Sequence, residues 1–176
     1  MPHPLALANA AYLEQGARLL RGLSDAQYRN GSPPFSQSGV GGHFRHCLEH
    51  LQLLLAAADG SRLDYDLRPR DPRLETDRDA AIEAAERLIR GLEGLTDAQI
   101  AAPLNVRMDC GDGQRATALW MPSSLGRELQ FMVSHTTHHY ALIAMILRHQ
   151  GLEPGADFGV ASSTLLHRRG LTVAGA

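Results

Sequence analysis

The chain has 176 residues, of which 44% are hydrophobic and 20% charged, with a formal net charge of -2. That is enough for one domain around one core, spanning 1–176, and it lacks the basic excess of a nucleic-acid binder. All seventeen basic residues are arginine, so Schiff-base chemistry, a lysine general base and a P-loop lysine are excluded. No stretch approaches the ~20 apolar residues of a membrane span. The opening Met1-Pro2-His3-Pro4 has no basic leader, and a cytoplasmic setting is expected. Cys47 and Cys110 form no CxxC pair or disulfide framework.

The first helix is expected from about Pro4 to Leu23, with Pro4 in its first turn and Leu5, Ala8, Tyr12, Gln15 and Leu19 near the helical period. A breaker-rich loop follows, Asn30-Gly31-Ser32-Pro33-Pro34. The second helix starts near Ser38 to Val40 and stops at Asp59-Gly60. Residues 61–76, with two prolines and alternating charge, are expected to be an ordered loop. A third helix follows from Thr76 to Leu92. Gly22-Leu23-Ser24-Asp25-Ala26-Gln27 is echoed by Gly94-Leu95-Thr96-Asp97-Ala98-Gln99, and each carries a capping-box pattern that predicts a short extra helical turn.

Residues 104–120 alternate on either side of Gly111-Asp112-Gly113, which predicts a β-hairpin. Met121-Pro122-Ser123-Ser124 is expected to open the longest helix, running to about Gln150 and stopping at Gly151. The tail from 152 is expected to lie partly on the bundle and to fray at Thr172–Ala176. Four long helices with one hairpin insert predict an all-α four-helix bundle.

Six of the nine histidines fall into two clusters, His43, His46 and His50 on the second helix and His135, His138 and His139 on the last. At about 100° per residue, His139 lies about 40° from His135, in the middle of an apolar stripe with Leu142, Ile143 and Ile146. His138 falls at the edge, and Tyr140 about 140° away. On the second helix all three histidines share one flank, so either His46 or His50 can face the neighbouring helix. Buried imidazoles need partners for their nitrogens, and a metal ion supplies one. Histidines at i and i+4 converge on one ion, and a third from another helix completes a facial set.

Three further features bear on chemistry. Glu128, two turns before His135, is the best carboxylate candidate, as a fourth ligand, a general base or the partner of a buried polar group. Asp64-Tyr65-Asp66 with Arg68 and Arg70 is read as a salt-bridged loop clamp or as the anion-holding mouth of a site. Cys47 reads as a small buried hydrophobe, and Cys110 as a thiol with only Arg107 and Arg115 to activate it.

The stretch Gly39-Val40-Gly41-Gly42-His43-Phe44-Arg45-His46-Cys47-Leu48-Glu49-His50, paired with Ser134-His135-Thr136-Thr137-His138-His139, resembles the DinB/YfiT-like superfamily. The resemblance implies a four-helix bundle in which one histidine of the second helix and two of the last bind a divalent metal. Carried over by position, the ligands are His46, His135 and His139. His43, His50 and His138 are left as neighbours, with His50 the rival for His46. Many members follow the last histidine with arginine and glycine, where this chain has Tyr140-Ala141-Leu142. The superfamily includes transferases and isomerases that use low-molecular-weight thiols, and metal-binding domains of iron sulfoxide synthases. What the resemblance implies is a metal-dependent transferase or hydrolase acting on a small molecule, a thiol in the thiol-dependent branch, or a non-catalytic dimeric binding or stress-related protein with a structural metal. Zinc, nickel, iron and manganese all accept imidazole. A homodimer is implied by the resemblance alone.

Overall fold

A computed structural model describes residues 1–31, 39–60, 62–109, 111 and 119–170. In chain order the helices are α1 (Pro4–Arg21), α2 (Asp25–Arg29), α3 (Gly39–Ala56), α4 (Pro72–Thr76), α5 (Arg78–Glu93), α6 (Asp97–Ala101), α7 (Leu125–His149) and α8 (Ser162–Arg168). Among the described residues three short strands accompany them, β1 (Arg62–Asp64), β2 (Pro103–Arg107) and β3 (Met121–Ser124), with a 3-10 turn at Tyr65–Leu67.

Local chemistry sets the helix starts. Pro4 opens α1, where the His3 ring accepts from the Leu5 amide. The two echoed hexapeptides form the expected extra turns, α2 and α6, each with a complete capping box, Ser24 with Gln27 and Thr96 with Gln99. Asp77 caps α5 through the Ala80 amide, and Ser124 caps α7 through the Arg127 amide.

The four long helices pack in the cyclic order α1–α5–α3–α7, the bundle with a small β insert that the periodicity predicts. Leu13, Leu20, Phe44, Leu48, Leu51, Leu92, Leu129 and Ile143 are almost fully withdrawn from solvent in one contiguous core. Each such side chain contributes about 1.5–3 kcal/mol from burial. Asn9 is buried among them because its amide donates to the carbonyls of Leu5 (2.9 Å) and Leu129 (3.0 Å), tying α1 to α7.

Three expectations are corrected. Residues 61–76 are not only loop: β1 pairs in parallel with β2, Arg62 opposite Asn105, and α4 follows. Asp71-Pro72 is a helix start, with Asp71 capping the Arg73 amide and proline in the first turn. The hairpin's return strand is Met121–Ser124, pairing antiparallel with β2, Val106 opposite Met121. The segment read as the helix opening is therefore an edge strand, where Pro122 is tolerated. Residues 110 and 112–118, with Cys110 and most of the expected turn and returning arm, lie outside the described residues, as do 32–38 and Thr172–Ala176. The tail does lie on the bundle, with the Phe158 ring stacked on Tyr140 at 4.7 Å, and it adds the exposed helix α8.

Glycines let the elements close up. A Cβ on Gly41 would lie 2.0 Å from the Glu75 carbonyl oxygen, so α4 sits directly on the backbone of α3. Gly41→Ala is therefore expected to lower stability by about 1–3 kcal/mol, the usual cost of overpacking. Gly60→Ala, with no atom nearer than 3.7 Å, is the control. Equal urea midpoints for the two variants would contradict the close approach.

Candidate metal centre

Helix α3 presents His43, His46 and His50 toward α7, which presents His135, His138 and His139. The closest approach is between Nε2 of His46 and Nε2 of His135, 3.0 Å apart. A second contact, also 3.0 Å, joins Nδ1 of His43 to Nδ1 of His139. The His50 ring lies 4.2 Å from that of His46 and 4.5 Å from that of His135. The His139 ring lies 4.4 Å and 4.7 Å from the same two. His138 is exposed, edge-on to His139.

The histidines stand at the margin of the buried face of α7 rather than in its middle. Thr136, Tyr140, Ile143 and Leu147 form the centre of that face, while His135 and His139 are half-buried. Tyr140, placed on the far side by a stripe of large apolar residues, is fully buried and donates to the Tyr12 carbonyl at 2.8 Å. The reason is that α7 packs on both α1 and α3. Gly126, Thr136 and Ala144 extend its buried face round toward α1, leaving the histidines on the α3 side, where a solute can reach them.

The cluster is held from several directions. His50 donates from Nδ1 to the His46 carbonyl at 2.8 Å, which leaves its Nε2 as the lone-pair nitrogen. The Phe131 ring stacks on His135 at 5.4 Å. Tyr65, in the turn after β1, packs on His50 at 5.1 Å and donates its hydroxyl to Glu128 at 2.9 Å. Glu128 is buried and also accepts from Ser123 (2.6 Å) and Arg127 (3.1 Å). Of its three candidate roles, this geometry matches the partner of buried polar groups.

The 64–70 segment divides its work. Asp64 accepts from Arg107, and Asp66 accepts from the Asp109 amide at 2.8 Å, so both acids clamp the loop. Arg68 instead reaches the histidines, with Nη1 against Nδ1 of His46. Cys47 is wholly buried and its thiol is pushed up by that burial, so it fits the role of a small hydrophobe.

Burial, reinforced by neighbouring histidines and Arg68, holds the rings neutral. It lowers His46 to about 2, His139 to about 3, and His50 and His135 to about 4. Neutral imidazoles offer lone pairs, and each ring here carries one lone-pair nitrogen beside its N–H. His135 Nδ1 and His43 Nε2 are buried with no hydrogen-bond partner. One nitrogen each from His46, His50 and His135 lie within 4.8 Å of one another. Ligands ~2.1 Å from a common ion sit roughly 3.0–3.4 Å apart, so small side-chain rotations close the set, and the residues present fit a divalent cation.

The same neutrality sets an acid limit for the metal-free protein. Unfolded histidine binds its proton near pH 6.5, whereas these rings resist protonation down to about 4 or below. Between those values the unfolded chain holds more protons, so stability falls as pH drops from 6.5 toward 4 and is unaffected by these groups above 6.5. Urea midpoints of chelator-treated protein should fall between pH 7 and pH 5. The decline should shrink when His46 and His135 are both replaced by glutamine, and an identical decline in that variant would contradict the assignment.

A family model described as the DinB superfamily matches residues 14–143. A protein of Rhizopus delemar named FK506-binding protein 5 is 36% identical over 107 residues, covering 60% of this chain. The matched stretch is 27% of that protein's own length. No solved structure matches, and among the described residues no helix is long and apolar enough to cross a membrane.

Proposed function

This chain belongs to the DinB superfamily, and from that premise we propose that it holds a divalent metal ion through His46, His135 and His139 and uses it in a transfer or hydrolysis reaction on a small molecule. The observation that carries the reading is the facing pair of neutral, half-buried imidazoles, His46 and His135, 3.0 Å apart at Nε2. His139 completes the set from one turn further along α7. His43 contacts Nδ1 of His139 and so leaves the other ring nitrogen, Nε2, for the ion. A second reading has His50 as the third ligand, favoured by the 4.8 Å grouping of His46, His50 and His135.

Bound there, a divalent ion held by neutral ligands lowers the pKa of a coordinated water or thiol. The chain supplies the rest. Phe131 and Tyr65 fix the ring planes of His135 and His50, Glu128 holds Tyr65 in place, and the half-exposed ring edges leave room for a substrate. A cytoplasmic homodimer handling a small thiol belongs to the same proposal, and so does its rival, a structural metal site in a binding protein.

Elemental analysis of untagged protein decides the site. Wild type should carry about one divalent ion per chain, and His135→Ala and His46→Ala should lose it. Loss in His139→Ala with retention in His50→Ala supports the first ligand set, and the opposite pattern supports the second. No metal in wild type, or equal metal in His135→Ala, sinks both. If metal is present, a chelator-sensitive thiol transfer or ester hydrolysis supports an enzyme, and its absence from a broad screen supports the binding protein.

A further inference from the structure

Among the described residues, four arginines are partly buried: Arg45, Arg68, Arg78 and Arg107. Three are ion-paired, Arg45 with Glu75, Arg78 with Asp25 and Asp79, and Arg107 with Asp64. Arg68 has no such pair within the described chain. The two acids whose charge reaches it, Glu49 and Asp66, are engaged elsewhere. Glu49 accepts the Asp71 amide at 2.6 Å and Asp66 the Asp109 amide at 2.8 Å. Neither acid closes a direct ion pair with this partly buried guanidinium, and it lies against the histidine cluster.

Its surroundings define what it lacks. Nε donates to the Tyr65 carbonyl at 3.0 Å, which fixes the plane of the group. Nη1 points at Nδ1 of His46 and is 3.4 Å from Nδ1 of His50. A neutral imidazole that ligates through Nε2 carries its hydrogen on Nδ1. Guanidinium has only donors, so its contact with His46 cannot persist beside such a ligand, and the Nη edge is then left on the Nδ1 side of His46 without an acceptor. That edge is a planar fork, the shape that matches a carboxylate with two parallel hydrogen bonds. Arg70 adds positive charge nearby, whereas the charge of Arg45 is matched by Glu75.

We propose that Arg68 is the docking group for the carboxylate of a small-molecule substrate brought to the histidine site. The inference rests on the metal reading above and deepens it by naming an acid as the substrate class. Arg68 acts as a binding and positioning residue.

Calorimetric titration tests it, with succinate, its uncharged diamide and inorganic phosphate each added to zinc-loaded protein. Wild type should bind succinate and not the diamide. Arg68→Met should weaken succinate about tenfold or more, as expected for losing a charge-assisted pair, and Arg68→Lys should recover part of that loss. Zinc content, measured in parallel, should be the same in all three proteins. Equal succinate affinity in wild type and Arg68→Met overturns the proposal, as does zinc-loaded wild type that binds no succinate, or Arg68-dependent binding of phosphate alone. Loss of zinc from Arg68→Met makes Arg68 part of the metal's own support and also overturns it. Absence of zinc from wild type fails the metal reading, and this inference with it.

Discussion

The contact between His46 and His135 is made by two imidazoles that burial keeps neutral, and its requirements shape the architecture around it. Neutral rings at a helix interface must meet a donor, an acceptor or a cation. The chain meets part of that demand itself, through the His46 carbonyl, the Arg68 guanidinium and the His43–His139 pair. What remains unmet, on Nδ1 of His135 and Nε2 of His43, lies buried within the cluster. The site is thus defined as much by unsatisfied nitrogens as by the residues that touch.

Support for those rings comes from a part of the chain that is neither α3 nor α7. The β1 strand, the turn after it and β2 form a small sheet whose register sets Tyr65 over His50 and carries Arg68 to His46. Glu128 locks this arrangement to the first turn of α7 through Tyr65 and Ser123. The β insert is therefore a brace for the histidines, and its clamps, Arg107 on Asp64 and the Asp109 amide on Asp66, keep both acids turned away from the site.

The long helices were legible because they carry their own signals: a proline or polar cap near the start, a 3.6-residue apolar period and a glycine near the end. The two capping boxes were legible for the same reason. Elements that exist only through pairing were not. Arg62–Asp64 is three residues long, too short for its alternation to mark a strand, and becomes one because β2 lies beside it, and Met121–Ser124 carries a proline that argues against a strand until its edge position is known. The histidine clusters were plain in the sequence, but their depth was misjudged. Counting large apolar residues put the centre of α7 on His135, whereas Gly126, Thr136 and Ala144 are buried too and shift the centre toward Tyr140. The nearness of Arg68 to His46 had only a loose forerunner in the charged loop, because 22 residues separate them and no local period joins them.

The cyclic order α1–α5–α3–α7 has a consequence for how the molecule comes to exist. Consecutive long helices α1 and α3 sit on a diagonal, as do α5 and α7, so no early local pairing assembles the centre. His46 meets His135 across 89 positions and His43 meets His139 across 96. Such contacts form only after most of the chain entropy has been surrendered, and the apolar core that makes this possible is complete without any ion. In a zinc finger the metal is the nucleus of the fold; here the candidate ligands are brought together by an apolar core that contains none of them.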